Sequence, residues 1–293
     1  MGSPCELQLY VESPEAGHEA ADLAIADVRF LESRYSRYRD DSLLSGINRA
    51  ASRGEPVEVD PQTAALLDYA QTCYEQSDGL FDVTAGVLRN AWSFGSGHLP
   101  EPAEIAALLP RVGWSKLRWQ SPRLEFGMAG MELDFGGIVK EYATDRTAAL
   151  LLNRGMRHGL VNLGGDIRVL GPHPDGKAWT IGIRHPRRPD GFAANLLARE
   201  GALASSGDYE RCLVIDGRRY GHILDPRTGW PATGLAAVTV LAPTCLVAGS
   251  AGTIAMLKGA AGPDWLKELG LRHLWVDEAG RLGGDLRPAS RSD

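Results

Sequence analysis

Residues 131–151, MELDFGGIVKEYATDRTAALL, change their hydrophobic period part-way, and few local structures permit that. Met131, Leu133 and Phe135 alternate with Glu132 and Asp134, the two-residue period of a half-buried strand. Beyond Gly136 and Gly137 the apolar positions Ile138, Tyr142 and Ala149, with Val139, Ala143 and Leu150, take helical spacing until Gly155 stops the run. The pattern predicts a strand that turns through two glycines into a helix. Such a junction delivers bare backbone N–H groups and the positive end of a helix dipole to one spot, where phosphate groups bind. Asp134 and Lys140 flank the spot with opposite charges. A junction of this kind also serves as plain packing, so the rest of the chain decides its meaning.

Several broad classes fall away. A net charge of −6 and a pI near 5.7 argue against a nucleic-acid binder, which needs a basic face. The four cysteines (Cys5, Cys73, Cys212, Cys245) form no CxxC pair, which disfavours a zinc ribbon or redox motif and predicts reduced, mostly buried thiols. No run of about 18 apolar residues stands out as a membrane-spanning helix. The start, MGSPCELQLYV, lacks a basic segment followed by an apolar one, so a cytoplasmic protein is expected, unless a leader once preceded it. No GxGxxG, GxxxxGK[ST], HExxH or GxSxG pattern is present.

The remaining periodicities predict many short elements. A first strand is expected at Leu7, Leu9 and Val11, then a helix over 18–35, then a polar stretch of turns and caps in YSRYRDDSLLSGINR. Asp60 and Pro61 make an N-cap and first-turn pair. Leu117/Trp119 and Leu124/Phe126 read as a hairpin, and Trp179, Ile181 and Ile183 as an alternating strand. A helix over 244–258 follows a strand at Val238 and Val240. Most strands are separated by turns rather than helices, which predicts an α+β fold with largely antiparallel sheets and flanking helices, not a doubly wound sheet. Without a linker or repeat the chain reads as one domain over 1–280 with a loose tail over 281–293.

Taken in order, DFGGIVKEYATD, VNLGGDIRV, ASSGDYER, HILDPRTGWPA and the helix containing Thr253 resemble the ApbE family of FAD:protein FMN transferases. The similarity begins earlier, with MGS at the first strand, SRYRDDSLLSGIN, and GLFDVTAGVL before Trp92, and it extends over about residues 1–259. Each motif is weak alone; their order and spacing together are specific. The resemblance implies an ApbE-like fold around a deep flavin pocket, with FAD as substrate and Mg²⁺ on its pyrophosphate. It implies transfer of FMN to a Thr or Ser hydroxyl of a partner flavoprotein, with release of AMP. Some relatives instead hydrolyse FAD.

By the same resemblance Met1, Tyr38, Leu80, Phe81 and Asp82 line the flavin and adenine sites. Asp134 is similar to the carboxylate that holds the cofactor, while Lys140 and Leu224 contact it. The Gly137 carbonyl and Thr253 would ligate the metal, and His222 would be the general base, a role suited to a pKa near neutrality. Asp225, Arg227 and Thr228 are expected to order their loop, and Asn48, Asp166 and Asp208 to make structural hydrogen bonds. Two positions depart from the family. Its metal helix carries Asp four residues before the Thr, where this chain has Gly249. Its Gly after the lysine is replaced by Glu141. Either Glu141 supplies the missing carboxylate or it is a solvent-facing glutamate; a third possibility is that the chain kept the pocket but lost the transferase metal, and binds flavin, or another small molecule, without transferring FMN. No nucleic acid and no membrane insertion are expected.

Overall fold

The computed structural model describes residues 3–286, apart from the side chains at 189 and 190. From the start come β1 (Cys5–Leu9), α1 (Pro14–Tyr35), α2 (Leu43–Arg53), β2 (Val57–Glu58), α3 (Pro61–Gln76), α4 (Pro102–Leu108), β3 (Leu117–Gln120) and β4 (Arg123–Phe126). The middle holds α5 (Val139–Asn153), β5 (Gly159–Leu163), β6 (Asp166–Gly171), β7 (Trp179–His185), β8 (Arg188–Ala198) and β9 (Ala202–Gly207). It ends with β10 (Cys212–Ile215), β11 (Arg218–Gly221), β12 (Leu235–Ala242), α6 (Cys245–Lys258), α7 (Gly262–Glu268), β13 (Arg272–Asp277) and β14 (Leu282–Gly284). Contacts divide the chain into two units made of interleaved segments. The first takes the residues up to Glu32, Val139–Gly207 and everything from Gly234; the second takes Ser33–Ile138 and Asp208–Thr233.

In the first unit a seven-stranded sheet runs β1-β5-β6-β9-β12-β13-β14. Every ladder in it is antiparallel, as the short turns predicted. Gly164 (φ 63°) and Gly165 (φ 95°) join β5 to β6 in a two-residue turn, a conformation that disfavours side chains with a Cβ. Strand β12 is buried along nearly its whole length, with α6 packed on it and on β9. Burial of Val238, Val240 and Ile254 contributes about 1.5–3 kcal/mol each. Close approach is possible because α6 presents small residues: a Cβ at Gly252 would lie 3.3 Å from Ser206 Oγ. The helical run Cys245–Glu268 is long and apolar enough by composition to cross a membrane. Gly259 (φ 58°) interrupts it, and most of it is buried against the sheet, so here it is a core helix. Where the sequence suggested a loose tail from residue 281, β14 pairs with β13. The last part of that tail, 287–293, lies outside the described residues.

The second unit holds the three-stranded sheet β2-β4-β3 and the hairpin β10-β11. Asp60 caps α3 by accepting from the amides of Gln62 and Thr63, with Pro61 in the first turn, as the sequence indicated. The polar stretch read as turns and caps holds α2, which Ser42 caps by accepting from Ser45 N and which buries Leu44, Ile47, Ala50 and Ala51. The expected strand over 131–135 is corrected by the structure. Its side chains do alternate between buried and half-buried, but among the described residues no strand pairs with it. Instead the Asn48 side chain takes the place of a ladder, accepting from Leu133 N at 2.8 Å and donating to Leu133 O at 2.9 Å. Asp134 N donates to Val83 O at 2.8 Å. A single amide side chain thus satisfies backbone groups that a strand would have satisfied.

Candidate active site

In the second unit, Arg37 pairs with the Asp134 carboxylate and donates to the Tyr38 hydroxyl at 3.0 Å. The other Asp134 oxygen accepts from Gly136 N at 2.9 Å. The Gly136 amide, expected to be bare for phosphate, is therefore already bonded within an Asp-initiated turn. Tyr38 is exposed, with its ring presented to solvent. Burial of its hydroxyl favours the neutral phenol, but Arg37 and Arg211 outweigh it and lower the pKa. Leu80 and Phe81 are buried, and a Cβ at Gly137 would lie 3.2 Å from the Phe81 ring. Asp82 uses both oxygens locally, one for Thr84 N and Oγ1 and the other for Trp114 N, while burial raises its pKa.

The segment around His222 is held by aromatic packing. Trp92 stacks on Phe94, meets Trp230 edge-on at 5.4 Å, and donates its indole N–H to Gly229 O at 2.8 Å. A side chain at Gly229 (φ 73°) would run into Ile105, at 2.4 Å from its Cγ2. Asp225 accepts from Arg227 N and, through its backbone, pairs with Trp230 and Gly229, the loop-ordering role expected of it. Leu224 bridges to Pro231 and packs on the core of Val87 and Leu88. His222 is exposed. Partial loss of solvation lowers its pKa below the ordinary value, against a hydrogen bond with the Arg211 backbone that raises it, while the Arg211 and Arg37 charges add to the lowering.

In the first unit, α5 and α6 face one another with charged groups between them. Lys140 pairs with Asp166 at the start of β6, and its Nζ lies 4.0 Å from Glu141 Oε1. Burial works against the Lys140 ammonium, but Glu141 and Asp166 offset it and raise its pKa. Burial, then the Glu141 charge, pushes Asp166 up to about 7. Glu141 is itself buried, at 5% exposure, which raises its pKa. A solvent-facing Glu141 is thereby excluded. Its Oε2 has no hydrogen-bond partner. On α6, Thr253 Oγ1 meets Ser206 Oγ at 3.2 Å. Asp145, one turn beyond Glu141, accepts from Cys245 N and Leu246 N at 2.9 Å each and so anchors the start of α6.

These donors suit a hard cation. Glu141 offers an unpaired carboxylate oxygen and Thr253 a hydroxyl. Among the described residues no three of His, Cys, Asp or Glu are grouped for a metal ion. An ion bound here would complete its shell with carbonyl, water or phosphate oxygens, the habit of Mg²⁺ rather than zinc.

The ApbE family model matches residues 1–275. The chain belongs to the ApbE family. An FAD:protein FMN transferase of Treponema pallidum is 31% identical over 296 residues, covering 91% of this chain and 82% of that protein. One of Haemophilus influenzae is 31% identical over 80% of this chain and 70% of that protein. The crystal structure of the ApbE protein of Thermotoga maritima shares the fold at a TM-score of 0.88 and 32% identity, over 97% of this chain and 94% of that one. The apo form of the Pseudomonas stutzeri flavinyl transferase ApbE gives 0.85 at 28% identity, over 99% of this chain and 95% of that one.

Among the residues suggested by ApbE resemblance, Lys140, Glu141 and Thr253 fall in the first unit; Tyr38, Leu80, Phe81, Asp82, Asp134, Gly137, His222 and Leu224 fall in the second. Met1 lies outside the described residues. Sequence reasoning passed over Arg37, Asp145 and Ser206. Arg37 stands beside Tyr38 and could have been matched to the acid Asp134. The spacing of Glu141 and Asp145, four apart on one helix, was the available sign of a shared acidic face.

Proposed function

We propose that this chain is a Mg²⁺-dependent FAD:protein FMN transferase acting on a Thr or Ser hydroxyl of a partner flavoprotein, with release of AMP. Among its own features, the buried carboxylate oxygen of Glu141, unpaired near the Lys140 ammonium, carries this reading best. A buried carboxylate oxygen without a hydrogen-bond partner is costly, and a bound cation is one way to complete it. The matching relatives bearing the transferase name span most of the chain.

In this reading the acceptor oxygen forms a bond to the FMN-side phosphorus of FAD, and the bond from that phosphorus to the bridging oxygen breaks, leaving AMP. His222 takes the hydroxyl proton; its lowered pKa keeps the imidazole neutral and able to accept. Lys140, held by Asp166, contacts the flavin, and Tyr38, Leu80, Phe81, Asp82, Asp134 and Leu224 bind FAD. Glu141 and Thr253 would hold Mg²⁺, which would supply charge neutralisation to the pyrophosphate.

The test is incubation of the chain with FAD, Mg²⁺ and a flavoprotein carrying an exposed Thr, followed by mass spectrometry and AMP detection. A covalent FMN adduct with equimolar AMP is expected. AMP and free FMN without an adduct would make it a hydrolase. FAD binding with no AMP would make it a binding protein and refute the transferase.

A further inference from the structure

Glu141 and Gly249 sit against one another across α5 and α6. A Cβ built at Gly249 would lie 2.4 Å from Glu141 Cγ, 2.8 Å from Oε1 and 3.0 Å from Cδ. The volume that a side chain at 249 would take is filled by the Glu141 side chain. Glycine inside a helix costs about 1 kcal/mol relative to alanine, so Gly249 is a local disadvantage to α6 unless it makes room for something. What it makes room for is a carboxylate whose Oε2 is buried and unpartnered.

The polar groups nearby are few. Thr253 follows Gly249 by four positions, so both lie on one face of α6, about 5–6 Å apart. Glu141 thus reaches the face that carries the Thr253 hydroxyl, itself 3.2 Å from Ser206 Oγ. The lysine beside it does not consume the carboxylate: Lys140 Nζ is bound to Asp166 and stands 4.0 Å from Oε1. A buried carboxylate with one oxygen unsatisfied and a half-buried hydroxyl on the helix packed against it are the kinds of ligand a hard divalent cation takes.

We infer that Glu141 is the cation's carboxylate ligand, delivered from α5 through the gap that Gly249 leaves on α6. The two positions form one exchangeable pair: a carboxylate can be supplied from 141 over a glycine at 249, or from 249 over a glycine at 141. The cation is Mg²⁺, completed by phosphate oxygens of FAD, and in that last respect the inference rests on the transferase reading.

The full chain is titrated with Mn²⁺ as the probe, free Mn²⁺ being followed by electron paramagnetic resonance with and without FAD, and Mg²⁺ added as competitor. The wild type is expected to bind one Mn²⁺ that Mg²⁺ displaces. Glu141→Gln, which keeps the shape of the side chain, should weaken Mn²⁺ at least tenfold. Glu141→Gly should do the same, and Glu141→Gly with Gly249→Asp should recover binding to within a few-fold of wild type. Unchanged Mn²⁺ affinity in Glu141→Gln overturns the inference, as does a double variant no better than Glu141→Gly, or a wild type that holds no Mn²⁺. Should the double variant fail to fold, Glu141→Gln decides alone. FMN transfer measured on the same samples keeps the two readings apart. A wild type that binds Mn²⁺ through Glu141 yet transfers nothing refutes the transferase and leaves the cation site standing.

Discussion

Replacing Gly249 by alanine sets two known effects against each other. Helix propensity favours the change by about 1 kcal/mol. Packing opposes it, since the new Cβ would stand 2.4 Å from Glu141 Cγ, about 1 Å inside ordinary contact. The nearest atom belongs to the stem of Glu141 rather than its end, so rotating the carboxylate does not relieve the overlap. The side chain must re-seat within a buried site, at the roughly 1–3 kcal/mol typical of overpacking. Gly249→Ala is therefore expected to be destabilising by about 1 kcal/mol, a fall of about 2–4 °C in Tm. In a Glu141→Gly background the overlap is gone and the same substitution should stabilise by about 1 kcal/mol. The coupling between the two sites, about 2 kcal/mol, is read from a double-mutant cycle of thermal and urea melts at pH 7 in EDTA. If Gly249→Ala stabilises to the same extent in both backgrounds, Glu141 does not pack where the geometry puts it.

Three further outcomes follow from individual groups. The folded-state pKa of Asp166, about 7, lies above the unfolded value near 4, so the folded chain holds an extra proton between them and stability falls as pH rises through that window. Asp166→Asn should flatten the slope of urea midpoint against pH from about 4 to 7. His222→Gln should abolish FMN transfer while leaving FAD affinity within a few-fold of wild type; in the wild type the acid limb of the rate profile should fall below about 6.5, because the imidazole pKa is lowered. Asn48→Leu removes both partners of the Leu133 backbone and should cost about 2 kcal/mol or more, seen as a lower urea midpoint with unchanged slope.

How far the fold could be read in advance depended on whether a signal was local. The cap at Asp60, the alternation of β7 and the antiparallel pairing are all set by neighbours in sequence, and all are present. The extended stretch over 131–135 has the side-chain period of a strand, but whether it joins a ladder depends on Asn48, far away along the chain. Helix α2 was hidden by the Ser, Arg and Asp residues that precede it and interrupt it, although Leu44, Ile47 and Ala51 keep helical spacing behind the Ser42 cap. The interleaving of the two units follows long-range pairings that no local pattern encodes. In the candidate site the motif residues stood out, whereas the burial of Glu141 did not. A charged residue in the first turn of a helix reads as solvent-facing until the glycine that admits it on another helix is known.

The anchoring of α6 by Asp145 has a mechanical consequence. With its first two amides fixed to one carboxylate, the helix has its N-terminal end set by Asp145, while β9 and β12 pack along it. Thr253 stands eight residues along from Cys245, a lever arm of about 12 Å at 1.5 Å per residue. A tilt of about 5° about that end would carry the Thr253 hydroxyl about 1 Å, several times the roughly 0.2 Å tolerance that the proposed metal ligand would have. Asp145 therefore helps set the position of a hydroxyl about 12 Å further along α6, and losing that anchor would shift the hydroxyl without removing any donor.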